Sequence, residues 1–228
     1  MMKSLNLIAG LMLSVGALPS MAATFDFYKL GNGSGDFLPT NGFGCTGGDR
    51  CSSNVDAAVF GGNLSYTNGG LTAVATGNYL GNSASAMQDH EPGWTASKGA
   101  GLGVYHLSGD TSDDNITLGE KLTITFTQAV NLTSIGLRAE GHNFTGWSTG
   151  ATFLFNGTST LLPQGTGSIA LNQSGTVFTF EFGGAHPDQF YLASMTATPA
   201  VPEPETYALM AFGLGVIGLI ARRRRQTV

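Results

Sequence analysis

The chain has 228 residues, of which 34 are glycine and only 11% are charged. Residues 23–200 hold five lysines and arginines against thirteen aspartates and glutamates, a net charge of −8 that is more acidic than the −5 of the whole chain. Such a surface repels phosphates and offers no basic groove, so the charges exclude nucleic-acid binding. The remaining length is enough for one domain with a sizeable core.

Residues 1–22 have the features of a secretory signal peptide. Lys3 gives a positive start, residues 5–18 form an apolar run, and small residues lead up to Ala22. This is the pattern that signal peptidase reads, and it predicts cleavage between Ala22 and Ala23. A retained membrane anchor is the alternative, but the apolar run is short for a span of about 20 residues.

The two cysteines, Cys45 and Cys51, lie in the segment CTGGDRC. In an exported protein this pair predicts a short-loop disulfide, and the glycines between the cysteines allow a turn tight enough to bridge. Metal binding is the alternative. It is disfavoured because the spacing is not C-x-x-C and no histidine lies nearby.

Short segments of alternating apolar and polar residues predict β-strands along the body. In KLTITFT (121–127) apolar side chains alternate with threonine, as in a strand with one buried face. The same alternation occurs in TFDFYKL (24–30), SIGLRAE (134–140), ATFLF (151–155), TVFTFEF (176–182) and QFYLASMTAT (189–198). Asn68-Gly69 and Asn156-Gly157 predict hairpin turns, because these dipeptides adopt the positive φ angles that such turns require.

No long segment of the body has the 3.6-residue apolar period of an amphipathic helix, and we find no internal repeat. About nine or ten short strands separated by turn signals are typical of an all-β fold. We therefore predict that residues 23–198 form an antiparallel, two-layer β-sandwich of the jelly-roll kind.

An acidic cluster lies on a predicted loop between two strands and consists of Asp110, Asp113, Asp114 and Asn115. Hard oxygen ligands of this type bind Ca²⁺, which makes calcium the one cofactor that the sequence suggests. The D-x-x-D-D-N spacing lacks the alternating ligands of an EF-hand loop. A solvated acidic turn is the alternative interpretation.

Trp94 and Trp147 are candidates for carbohydrate contact, because an exposed aromatic ring stacks on a sugar. Trp147 lies in the turn-rich segment HNFTGWSTG (142–150). Core packing is the alternative, since tryptophan side chains are largely buried on average.

The sequence offers no catalytic signature. Its histidines (His90, His106, His142 and His186) form no H-x-x-x-H pair, and no G-x-S-x-G nucleophile elbow is present. The carboxylates Glu120, Glu140 and Glu181 would suit glycosidase chemistry only if two of them met across a cleft. On alternate strand positions they are expected to face solvent, so we predict that the protein is not an enzyme.

The C-terminal residues 199–228 combine a proline-rich linker, an apolar run and a basic cluster. Proline stiffens the linker and removes sheet donors. Residues 207–221 are uncharged and predict a single transmembrane helix, although at 1.5 Å per residue they span only about 22 Å of a ~30 Å hydrocarbon core. The cluster of Arg222, Arg223, Arg224 and Arg225 would remain cytoplasmic and leave the body on the other side of the membrane.

Three features in this order, Pro202-Glu203-Pro204, the glycine-containing apolar run and the arginine cluster, resemble the PEP-CTERM sorting signal of Gram-negative bacteria. The resemblance implies that exosortase, a membrane protease, recognises Pro202, Glu203 and Pro204 and removes the tail. It also implies that residues 207–221 are a temporary inner-membrane tether and Arg222 to Arg225 a stop-transfer cluster. Residues 101–126 resemble a pattern in ectodomains of this class and suggest a shared sandwich.

From these features we expect an exported, non-enzymatic protein of the cell surface or extracellular matrix, associated with exopolysaccharide in a biofilm as a binder or a scaffold. Its partners would be signal peptidase, exosortase, the inner membrane and exopolysaccharide. The alternative is a secreted polysaccharide-degrading enzyme with the same sorting tail.

Overall fold

The computed structural model describes residues 21–29, 37–41, 59–89, 99–106, 115–200, 210–218 and 222. The strands found there are β1 (Ala23–Phe25), β2 (Val59–Gly61), β3 (Leu64–Asn68), β4 (Leu71–Tyr79), β5 (Asn82–Gln88), β6 (Leu102–Tyr105), β7 (Glu120–Arg138), β8 (Thr152–Phe155), β9 (Thr158–Leu161), β10 (Ser168–Glu181) and β11 (Tyr191–Pro199). All pairings between these strands are antiparallel, so the predicted all-β, antiparallel class is confirmed.

The alternation that predicted the strands also determines which side chains are buried. Along β4, buried and half-buried residues alternate from Leu71 to Gly77. In the first part of β7, Leu122 and Ile124 are fully buried while Thr125 is exposed. One side of each strand therefore supplies the core and the other side lies outward, because successive side chains of a strand point to opposite faces.

Both predicted hairpins form. Asn156 and Gly157 have φ angles of 49° and 76° and connect β8 to β9, as the Asn-Gly dipeptide predicted. Between β3 and β4 the turn is displaced by one residue. Asn68 is the last paired residue of β3, and the positive φ angles belong to Gly69 (55°) and Gly70 (77°).

Two strands that the sequence divides, 121–127 and 134–140, are one continuous strand, β7. Its first half pairs with β4, and its second half pairs with β11. The buried alternation is interrupted between these halves, where Thr127, Gln128 and Ala129 are all exposed. β10 follows the other edge of β7 along both halves, with register shifts between Ala170 and Gln173 and between Gly175 and Val177. Such bulges bend a strand, which allows β7 and β10 to turn from one side of the fold to the other.

This bent strand changes the expected architecture. The pairings β11–β6, β6–β5, β5–β4, β4–β7 and β7–β11 return to their starting strand. All the described strands therefore belong to one sheet that closes on itself, whereas the sequence predicted two separately paired layers.

Aromatic side chains fill the interior. The Phe25 ring of β1 lies edge-on to Phe126 of β7 with 5.7 Å between ring centroids, and Phe126 lies edge-on to Phe178 of β10 at 6.0 Å. The Phe27 ring stacks on Phe25 at 6.2 Å between centroids and lies edge-on to Tyr66 at 4.9 Å. Each of these rings is almost completely buried, so the short strand β1 is an integral part of the core.

Candidate functional site

A cleft of about 340 Å³ opens at the ends of β5 and β6 and is the candidate ligand site of the body. It is lined by Gly62, Ser83, Ala84, Ser85, Tyr105 and His106. β5 and β6 pair in the register Ser85 to Tyr105, which brings these residues to one sheet position from separate parts of the chain. Among the residues that the structure describes, this lining includes no Asp, Glu, Lys or Arg and consists of hydroxyls, one imidazole and small apolar groups.

His106 is held in place by a buried carboxylate. Its Nδ1 is hydrogen-bonded to Glu120 Oε1 at 2.8 Å, and the Glu120 side chain is 0% exposed. The backbone N–H of Thr117 donates to the other oxygen, Oε2, at 2.8 Å. The Tyr79 ring stacks on the imidazole with 3.6 Å between centroids and 14° between planes. A histidine fixed by a carboxylate and a stacked ring has a defined orientation, as in sites that recognise a ligand by directed hydrogen bonds.

These contacts follow from the strand pattern. Glu120 pairs with Tyr79 across β7 and β4, so both side chains lie on the same face of the sheet. His106 follows β6 directly and contacts this pair, although β6 itself pairs with β5 and β11 and not with β4 or β7. Sequence reasoning noted His106 and Glu120 separately, but their separation of 14 residues gave no sign that they would form a pair.

A second polar cluster lies at the far end of β7. His142 Nε2 is 3.3 Å from Asp89 Oδ2, and the backbone N–H of Ala100 donates to the same carboxylate oxygen at 3.1 Å. Arg138 donates to the carbonyl of Gly99 at 2.8 Å, and its guanidinium lies 4.5 Å from the centre of the Tyr28 ring. Burial lowers the pKa of Arg138, while electrostatic interactions with Tyr28 and Asp89 oppose that shift.

The contacts of this second cluster indicate a structural role. Its groups tie the residues after β7 to the segment 99–100 and to β5, and Asp89 is fully buried. Charged groups are buried in proteins when they are paired and hydrogen-bonded, which is how Asp89 is arranged here. We therefore place the candidate ligand site at His106 and not at this cluster.

Of the predicted calcium ligands, Asp110, Asp113 and Asp114 lie outside the described residues. Asn115 is buried, and its side-chain amide donates to Glu140 Oε2. Within the described part of the chain, no group of three or more His, Cys, Asp and Glu side chains is placed to hold a metal ion. Calcium binding by this loop stays a prediction.

Trp147 is only 5% exposed and packs in the hydrophobic core. Its indole N–H donates to the carbonyl of Gln189 at 3.0 Å, and the side-chain amide of Gln164 donates to the Trp147 carbonyl. The ring therefore has no open face for a sugar, and the carbohydrate contact predicted at this residue does not fit its position. Trp94 lies outside the described residues, as do Cys45 and Cys51 with their predicted disulfide.

The carboxylates considered for a glycosidase pair are separated by the fold. Glu120 is buried against His106, whereas Glu140 is exposed and bonded to Asn115. Glu181 pairs across the strands with Lys121. None of these described contacts joins two of the three carboxylates.

Both ends of the body meet on β11. Ala23, which follows the predicted signal-peptide cleavage point, pairs with Ala197, and Ala22 is exposed. At the other end, the N–H of Ala200 donates to the Ala129 carbonyl at 2.9 Å. The predicted sorting motif, Pro202 to Pro204, begins two residues further on, outside the described residues.

In the tail, residues 210–218 are helical and exposed. In the described residues there is no helix with the length and apolarity that a membrane crossing requires. This finding does not support the transmembrane helix predicted over residues 207–221. Arg222 is helical, and the other members of the arginine cluster lie outside the described residues.

Comparison with known proteins identifies the tail but not the body. No curated protein and no solved structure matches the chain. Residues 200–225 match the family model described as the PEP-CTERM protein-sorting motif. The match begins at Ala200, whose N–H donates to the Ala129 carbonyl of β7 directly after the end of β11. The chain therefore has a PEP-CTERM sorting motif, which implies export and processing by exosortase.

Proposed function

We propose that this protein is a non-enzymatic component of the cell surface or extracellular matrix, delivered there through its PEP-CTERM tail, and that its body binds neutral sugar units of an exopolysaccharide. Delivery rests on the sorting motif at residues 200–225. Sugar binding rests on the cleft at His106, whose described lining residues are uncharged.

The observation that supports delivery is the coincidence of two boundaries. The sorting motif starts at Ala200, and the paired part of β11 ends at Pro199. Removal of the tail after this point would leave β1 to β11, the strands that the structure describes, in place. A removable address is expected to lie outside the fold that it delivers.

The test of delivery compares two changes in a host that encodes exosortase. Replacing Pro202, Glu203 and Pro204 by alanine should leave export intact and trap an uncleaved membrane form, because the apolar run and the arginines remain. Deleting residues 207–228 should release the body as a soluble periplasmic protein. Fractionation blots distinguish these results. Full-length wild-type protein in the membrane would mean that the tail is a permanent anchor and would contradict the proposal.

The cleft supports a neutral ligand of monosaccharide size. Ser83, Ser85, Tyr105 and His106 offer hydroxyl and imidazole groups that exchange hydrogen bonds with sugar hydroxyls. Gly62 and Ala84 leave small apolar surface against which C–H groups pack. None of the described lining residues is a Lys or Arg that could pair with a phosphate or sulfate group, which favours a neutral sugar.

Sugar binding is tested with residues 23–200 and the exopolysaccharide of the producing organism. We expect co-sedimentation without new reducing ends, and weaker co-sedimentation for Ser85→Ala. Ser159→Ala, an exposed residue of β9, is the matched control and should bind as wild type does. New reducing ends would support the alternative, a polysaccharide-degrading enzyme. Absence of both binding and cleavage would leave a structural scaffold as the function.

A further inference from the structure

The sorting motif follows the folded body with almost no spacer. Ala200 is fixed by its hydrogen bond to Ala129, and Pro202 stands two residues later. A fully extended chain spans at most about 3.6 Å per residue, so the single residue between Ala200 and Pro202 adds little distance between the body and the motif. An enzyme that encloses Pro202 to Pro204 must therefore approach the surface of the body.

Detachment of β11 from the body would move the motif away from the surface, but it would break pairing on both edges of the strand. β11 is paired on one edge with β7 and on the other with β1 and β6. Its side chains Leu192, Met195 and Ala197 are fully buried. Detaching the strand would expose these side chains to water, so the strand is expected to remain in place while the tail is recognised.

Five segments meet around the point where the tail leaves, and we call them the exit corner: residues 21–24, 67–70, 127–131, 173–176 and 197–200. Ala23 pairs with Ala197, and the side-chain amide of Asn68 donates to the carbonyl of Thr24 at 2.6 Å. Val130 pairs with Pro199 on one side and with Gly175 on the other.

The exit corner contains no charged residue, which distinguishes it from both ends of β7. Glu120 and Lys121 begin that strand, and Arg138 ends it. Exposed members of the corner, such as Gln128, Ala129 and Ser174, are polar or small. Protein interfaces are depleted of charge in their centres, because a charge that is buried without a partner loses its hydration.

We propose that the exit corner is a docking surface for the exosortase that processes the tail, so that the enzyme recognises the folded body together with Pro202 to Pro204. This inference rests on the proposed delivery through the tail. The body then acts as a positioning element that presents the motif at a fixed distance and direction. A sorting motif that is separated from the exit corner should therefore be cleaved more slowly.

The first test inserts a Gly-Ser spacer of about six residues between Ala200 and Val201, which gives the motif about 14 Å of additional root-mean-square reach. We expect tail removal to slow by about tenfold, the loss of roughly 1.4 kcal/mol of binding. The control places the same spacer after Gly157, in the exposed turn between β8 and β9, and should be processed at the wild-type rate. Processing of the first variant at or above the wild-type rate would overturn the inference.

The second test places charge on the surface without changing its distance from the motif. Gln128→Glu combined with Ser174→Glu should slow tail removal, whereas Thr158→Glu combined with Ser159→Glu should not, although both pairs alter exposed residues and add the same charge. Circular dichroism checks that all variants fold. If the corner pair changes membrane association of the uncleaved form but not its processing rate, the surface faces lipid and the inference is wrong. Failure of the wild-type tail to be cleaved at all would instead reject the proposed delivery, and this inference with it.

Discussion

Ala23 and Ala197 are paired neighbours on β1 and β11, although almost the whole body separates them along the chain. The next pair brings the Oγ1 atoms of Thr24 and Thr196 within 3.1 Å across a separation of 172 residues. The residues next to the predicted signal peptide and next to the sorting motif therefore lie side by side in the fold. Because β1 needs β11 as its partner, the body completes its core only after its last strand has been exported.

The contribution of β1 to the core can be measured by truncating Phe25. This ring is fully buried against Phe126, so Phe25→Ala should lower the free energy of unfolding by about 3–5 kcal/mol, through lost burial and the cavity left behind. Urea unfolding of residues 23–200 provides the measurement. Thr24→Ala, on the outer face of the same strand, is the control and should cost less than about 1 kcal/mol. Equal stability of Phe25→Ala and wild type would show that β1 is dispensable.

We expect His106 to stabilise the fold mainly by its hydrogen bond to the buried carboxylate of Glu120. His106→Ala would remove a hydrogen-bond partner from the buried Glu120 carboxylate, which would keep its bond from the Thr117 N–H, so the change should cost about 3 kcal/mol. The double variant with Glu120→Gln should be less unstable than the sum of the two single changes. A double-mutant cycle by urea unfolding gives the coupling energy. Additive effects would mean that the two side chains are energetically independent.

We expect the buried hydroxyl of Tyr66 to make the fold less stable in alkaline solution. Burial raises the pKa of its hydroxyl well above the usual value, and that hydroxyl donates to Gln88 Oε1 at 2.9 Å. The folded state thus holds this proton more tightly than the unfolded state. The contribution is complete below the unfolded pKa of about 10 and is lost as the pH rises towards the folded pKa.

The comparison that checks this is Tyr66→Phe against wild type by urea unfolding at about pH 8 and pH 11. At the lower pH the variant should be less stable by roughly 1 kcal/mol, the net value of one hydrogen bond. Between the two pH values it should lose less stability than wild type. An equal alkaline loss in both proteins would assign the effect to other groups.

If calcium binds the acidic loop, EDTA should lower the melting temperature of residues 23–200. The predicted ligands are Asp110, Asp113, Asp114 and Asn115. A ligand that binds only the folded state stabilises it by about 2.7 kcal/mol when present at 100 times its dissociation constant. Asp113→Asn together with Asp114→Asn should abolish the sensitivity to EDTA. Identical melting curves of the wild-type body with calcium and with EDTA would reject the site.

The predicted disulfide between Cys45 and Cys51 closes a very short loop. Such a loop removes little entropy from the unfolded chain, so Cys45→Ser should lower the free energy of unfolding by about 2 kcal/mol at most and leave the fold intact. Mass spectrometry after thiol alkylation, without prior reduction, reports the redox state of the exported protein. Two alkylated cysteines would contradict the disulfide.

The sequence alone determined the features that depend on neighbouring residues. Alternation at Leu122 and Ile124 identified a strand with one buried face, because the side-chain period of a strand is local. Asn156 and Gly157 identified a hairpin turn, because their backbone preferences are local as well. The PEP-CTERM tail was recognisable for the same reason, since its three parts lie in order within one short segment.

Only the tertiary structure decided what depends on partners distant in the chain. Segments 121–127 and 134–140 join into β7 because β4 and β11 supply successive partners along one edge. Trp147 is buried and donates a hydrogen bond to the Gln189 carbonyl, and the hydrogen bond to Glu120 orients His106. These outcomes follow from strand register and burial, which are fixed by the closure of the whole sheet. No local pattern contains that information.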